Sequence, residues 1–178
     1  MTGPSSARRR ARRVAAVVAT ACVRVIGCGN LDAGDDAAGL ISVRALRRRF
    51  AGRDGVEFVE APTGMHVLDL LAGARAAVVV DAIHTGGHRQ PGATVRIAVG
   101  AEEFPAELAG SVSTHGLGIA DAIGLASILG SLPTTVFMGI QVAGTATGEP
   151  LSSEVAWAIP GFVDAIEAEV LRLLGDSP

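Results

Sequence analysis

Val23-Arg24-Val25-Ile26-Gly27-Cys28-Gly29-Asn30-Leu31-Asp32-Ala33-Gly34-Asp35-Asp36-Ala37-Ala38-Gly39 is the stretch whose reading decides the fold. Its first half is a short apolar run rich in β-branched residues that stops at Gly-x-Gly-Asn, the pattern of a buried strand ending in a tight turn. Its second half sets two adjacent carboxylates, Asp35 and Asp36, before an Ala- and Leu-rich segment with helical spacing, Ala37 to Phe50. Asp35 is placed to cap that helix. Asp36 then falls in the first turn, where the positive end of the helix dipole favours a carboxylate. A strand, a glycine turn and a helix form the opening unit of an α/β fold, and such sheets bind ligands at the carboxyl ends of their strands. Position alone therefore gives Asp36 two readings: helix-end electrostatics, or a side chain aimed into a site.

Working outward, Val56 to Glu60 reads as a second strand, and Thr63 as the cap of a helix over His66 to Ala74 with Val67, Leu70 and Leu71 on its apolar face. Ala76 to Val80 is an unbroken apolar run ending at Asp81, which predicts a central strand covered on both faces. Thr94 to Val99 alternates and follows a Gly/Pro loop of about a dozen residues, too short for a parallel crossover, so this fourth strand is expected antiparallel to the third. Glu102, Glu103 and Pro105 read as loop. Ser113-Thr114-His115 precedes a helical pattern through Leu129, and Thr134 to Gln141 is the fifth strand. Ser152-Ser153-Glu154 opens a helix like a cap, and Pro160 is expected to break it before a last helix to Leu174. The fold class is α/β: a three-layer α/β/α sandwich around a five-stranded mixed, mostly parallel sheet with one antiparallel strand.

Of the 178 residues, 49% are hydrophobic but only five Phe and one Trp are aromatic, so the core is built from Ala, Val, Leu and Ile. All fifteen basic residues are Arg; five of them lie between Arg8 and Arg13, and from residue 14 onward ten Arg face eighteen acids, a balance of −8. An acidic body argues against nucleic acid as a partner, because phosphate contacts need a basic face. Residues 1–21 read as an Arg-rich N-terminal extension, expected to be disordered; Ala19-Thr20-Ala21 also fits a signal-peptide cleavage pattern, and a start-site artefact is the third reading. Their apolar run is too short to span a bilayer. Residues 22–175 form the one expected domain. Cys22 and Cys28, outside any Cys-x-x-Cys pair, point to a reducing cytoplasm.

This layout singles out Asp36 after strand one, Asp81 ending strand three, and His115 before the helix after strand four. Strands one and three are expected as neighbours where the winding direction reverses. Two carboxylates and one imidazole suit a borderline divalent metal with open positions; capping of turns by the same residues is the bland alternative. A dinucleotide reading of the glycine turn lacks a third Gly, since Asp32 stands there, and a pyrophosphate would meet Asp32, Asp35 and Asp36. No Lys exists for a P-loop. A Cys28 nucleophile paired with His115 competes with Cys28 as a small filler at the strand end.

The chain resembles the hydrogenase maturation proteases, which trim the C-terminus of [NiFe]-hydrogenase large subunits. The resemblance rests on Gly27-Cys28-Gly29-Asn30 with Asp35-Asp36 and Gly39, Val79-Val80-Asp81-Ala82, Ser113 to Ala120, Phe137 to Gln141 and Leu151 to Val155, in order over residues 23 to 174. It implies an endopeptidase with Asp36 and Asp81 as catalytic residues and Asp36, Asp81 and His115 as the metal-binding trio. Gly27, Gly29, Asn30 and Asp35 are implied as the supporting turn. It implies nickel, carried by the large-subunit precursor, as the metal, with no nucleotide cofactor. The implied partner is that precursor; the composition adds the expectations of a cytoplasmic location and of no nucleic-acid or membrane partner, and the chain is expected to be a monomer. Asp32, Ala33 and Pro62 depart from the family's usual residues. A non-catalytic nickel-binding maturation chaperone on the same fold, or a nucleotide-binding α/β enzyme, are the alternatives.

Overall fold

Strands form wherever a short β-branched apolar run lies between turn signals, and helices wherever apolar residues return at helical spacing. The computed structural model describes residues 22–85, 87–100 and 118–175. In chain order these give β1 (Val23–Cys28), a 3-10 turn (Gly34–Ala37), α1 (Ala38–Arg49), β2 (Val56–Ala61), α2 (Gly64–Leu71), β3 (Ala76–Ile83), β4 (Thr94–Ala98), α3 (Ile119–Ile128), β5 (Thr134–Gln141) and α4 (Ser153–Leu174). The expected extension 1–21 and the loop residues Glu102, Glu103 and Pro105 lie outside the described residues. Among those described, no helix is long and apolar enough to cross a membrane.

The strand order is β2-β1-β3-β5-β4. β1 pairs in parallel with β2 and β3, and β3 in parallel with β5. β4 runs antiparallel as expected, but its hydrogen-bonded neighbour is β5 rather than β3. The loop length constrains direction only; the later strand β5 inserts between them and leaves β4 at the edge. Successive side chains of each strand point to opposite faces. Val23, Val25, Val78, Val80 and Ile140 therefore pack with Val43 and Leu46 of α1 and Phe162 and Ile166 of α4. Ile26, Ala77, Val79 and Phe137 pack on the other side with Val67 and Leu71 of α2 and Ala122, Ile123 and Ala126 of α3. Three α/β/α layers result, with β3 buried on both faces as its unbroken apolar sequence predicts. Edge strand β4 is tied to α4 by Arg96, whose guanidinium pairs with the buried Glu169 at 3.0 Å. Burial pushes the Glu169 carboxyl up, but Arg172 and Arg96 outweigh it and hold it below the usual range.

Local signals failed at two helix ends. Thr63 occupies the N-cap of α2 in extended conformation, yet its hydroxyl bonds no backbone N–H and pairs instead with His66 Nδ1 at 2.8 Å. α2 also stops at Leu71 rather than Ala74, because Ala72 has already left helical dihedrals. Pro160 does not break the last helix: α4 is continuous from Ser153 to Leu174. The bond that Pro160 cannot donate would have reached the Ala156 carbonyl, and both residues lie on the solvent face, where that acceptor is open to solvent. Val155, Phe162, Val163 and Ile166 stay buried on either side and hold the axis. Pro160→Ala is accordingly expected to stabilise the protein by about 1–3 kcal/mol in urea denaturation; a loss of stability would show that the proline shapes the packing.

Candidate active site

β1 and β3 lie side by side with Gly27 opposite Val80, so Cys28 and Asp81 adjoin one residue further on, both directed to the α2/α3 face. Asp81 was expected to end its strand. It lies inside β3 instead, because β5 continues beside it, with Gly139 opposite Asp81 and Gln141 opposite Ile83. β1, however, stops at Cys28, and Asp81 stands where β1 turns away.

The turn after β1 then folds back on itself. Gly29 adopts φ 121°, and a Cβ there would sit 1.9 Å from the Asp36 carbonyl oxygen, so only glycine fits. Asn30 builds the next turn: its Oδ1 accepts from Asp32 N at 3.0 Å and its carbonyl from Ala33 N at 3.2 Å. Gly39, in the first turn of α1, lies directly on the strand ends; a Cβ would come within 2.4 Å of Cys28 O, 2.7 Å of Val80 O and 3.2 Å of Asp81 Cα. Gly27 belongs to β1 and not to the supporting turn, and its bare Cα admits Val43 of α1, whose Cβ would lie 2.9 Å from an added methyl. These close approaches bring the half-buried carboxylates of Asp36 and Asp81 into one electrostatic neighbourhood.

Their protonation follows. Asp81 is pushed up to about 8 by burial and then by the Asp36 charge, with the Ala82 backbone N–H opposing. Burial also raises Asp36, partly offset by the Asn30 backbone N–H. The Cys28 thiol is forced well above its ordinary value by burial, Asp81 and Asp36. It sits buried at the strand end as a small neutral filler, and its candidate partner His115 lies outside the described residues. Cys22 and Cys28 are both free thiols.

Asp35 departs from the sequence expectation. Neither the 3-10 turn nor α1 has a side-chain cap. The buried Asp35 carboxylate accepts instead from Ala143 N (3.0 Å), Ser152 N (2.6 Å) and Ser152 Oγ (2.9 Å), tying the turn to the chain that enters α4. Ser152 in turn caps α4 by accepting from Val155 N. Sequence reading also passed over Thr85 and gave Gln141 no role, although a Gln closing an otherwise apolar strand needs buried partners. His115 and Ser113 lie outside the described residues. Among the described residues no three His, Cys, Asp or Glu side chains close on a metal position. The Asp36 charge acting on the Asp81 carboxyl is the kind of repulsion that a proton or a cation relieves.

A family model described as hydrogenase maturation protease matches residues 41–169. The Hydrogenase 2 maturation protease of Escherichia coli (strain K12) is 32% identical over 112 residues, 62% of this chain; the chain spans just under two thirds, 66%, of that relative's length. The hydrogenase maturating endopeptidase HybD from E. coli superposes with a TM-score of 0.72 at 25% identity, covering 86% of this chain and 94% of that one. The solution structure of an endopeptidase from E. coli gives 0.75 at 26% identity, over 88% and 95% of the two chains.

Proposed function

Because this chain belongs to the hydrogenase maturation protease family, we propose that it is an endopeptidase that removes the C-terminal peptide from a nickel-loaded [NiFe]-hydrogenase large-subunit precursor, with Asp36 and Asp81 as its working carboxylates. The observation that carries this reading is their convergence where β1 turns away from β3, enforced by the Gly29 and Gly39 contacts. The donor set fits a cation presented by the substrate: two oxygen ligands whose mutual repulsion a divalent ion would relieve, with His115 as the expected third ligand. Nickel on this reading is cargo of the precursor and marks it as ready for trimming.

The protein's own contribution is orientation and proton handling. Before substrate arrives, burial and then the Asp36 charge keep the Asp81 carboxyl protonated near neutral pH. A cation favours both ionised forms, so docking expels that proton, and a carboxylate is then free to accept one from the attacking water or to return it to the leaving amine. The two reduced cysteines accord with a cytoplasmic reaction.

Incubating the purified chain with nickel-loaded precursor and weighing the products by mass spectrometry tests the reading. The expected result is a shortened large subunit and one released C-terminal peptide. Binding of the precursor without any release would instead identify a non-catalytic maturation chaperone.

A further inference from the structure

We propose that Gln141 and Asp35 are positioning residues that fix the separation of the Asp36 and Asp81 segments through the chain leaving β5. This rests on the reading of those two acids as the working carboxylates.

The bracing is continuous. Gln141 and Thr85 are buried, at 2% and 3% exposure. Gln141 Oε1 accepts from both Thr85 Oγ1 (2.7 Å) and Thr85 N (3.2 Å), while its Nε2 donates to Val142 O at 2.9 Å. The Val142 N–H donates to Ile83 O at 3.0 Å. The chain leaving β5 is thereby locked to the segment that follows Asp81. One residue on, Ala143 N donates to the Asp35 carboxylate, and Asp35 N returns a bond to Gly144 O at 3.3 Å. Asp32 O accepts from Gly148 N at 2.7 Å, and Ser152 closes the far side of the Asp35 carboxylate. Residues 141–144 therefore grip the β3 exit with one hand and the residue beside Asp36 with the other.

An apolar contact would bury this loop equally well; a satisfied polar network holds one geometry, since each donor and acceptor accepts few alternatives. Site groups displaced by about 1 Å lose roughly a hundredfold in rate, so a brace between two carboxylate-bearing loops bears on kcat more than on binding.

Thr85→Val keeps the side-chain volume and deletes the hydroxyl donor, and Thr85→Ser restores it. In Thr85→Val, hydrogen exchange at the Asp35 and Asp36 amides is expected to quicken about tenfold, the equivalent of one buried hydrogen bond. Precursor cleavage should lose about tenfold or more in kcat with KM within about twofold. Thr85→Ser should return both to within about twofold of wild type. Exchange changes confined to residues 83–85, or accelerated exchange at Asp35 and Asp36 with an unchanged kcat, would overturn the proposal. Should Thr85→Val not fold, Ser152→Ala tests the other arm, read at the Ile83 to Thr85 amides. If the wild-type chain cleaves no precursor, the endopeptidase reading fails, while the exchange data still decide the brace.

Discussion

Asp81→Asn is expected to abolish release of the C-terminal peptide and, at the same time, to make the metal-free protein more stable above neutral pH. The loss in cleavage should reach about 10³-fold or more, because the amide can neither exchange a proton at that position nor face a cation as an anion. The gain in stability comes from the same environment. The Asp81 carboxyl has a folded pKa raised to about 8 from an ordinary 3.8. The native state therefore binds this proton more tightly than the unfolded chain, and the stability contributed by the neutral acid is lost as pH rises from about 4 through about 8. Asn carries no such charge. Allowing for solvent access to a half-buried group, the variant should gain about 2 kcal/mol at pH 8 and almost nothing at pH 4, read as chemical-denaturation midpoints at both pH values. A variant that loses cleavage and stability together at pH 8 would mean that Asp81 is a structural strand residue. Function bought at the expense of stability is the ordinary condition of an active site.

Gly29→Ala should be the most damaging single change to the fold of the site. Its φ of 121° is a conformation that alanine rarely takes, and the new Cβ would lie 1.9 Å from the Asp36 carbonyl oxygen, backbone that cannot swing aside. Relief requires the 3-10 turn to lift away from β1, carrying Asp36 with it. A loss of about 3 kcal/mol or more is expected by urea denaturation, together with loss of cleavage even in the fraction that remains folded. Wild-type stability in this variant would show that the turn is looser than the close contact implies.

The sheet was legible from sequence because its strands are short β-branched runs between turn signals: β5 spans Thr134–Gln141 as read, and the β1–β3 adjacency follows from where the winding reverses. The nearness of Asp36 and Asp81 was legible only in part: Asp36 follows β1 as read, while Asp81 lies inside the neighbouring β3 rather than at its end, because β5 continues beside it. What failed was whatever a distant partner decides. Asp35 obeyed Ala143 and Ser152, 108 and 117 residues away, rather than the helix beginning beside it. Pro160 was tolerated because it faces solvent, and which face of α4 does so is set by the sheet beneath it. Thr63 is a local exception: its hydroxyl pairs with the His66 ring three residues on rather than with a backbone N–H. A local rule names the bonds a side chain can make; tertiary contacts choose among them.

The claim that two carboxylates meet to read a cation on the substrate is tested most directly by presenting the same large-subunit precursor with and without nickel. Wild-type protein, assayed by mass of the large subunit, is predicted to trim the nickel-loaded form and leave the empty form intact, and the Asp36→Asn and Asp81→Asn variants to trim neither. Equal trimming of both precursor forms, or trimming by either variant at the wild-type rate, would contradict it.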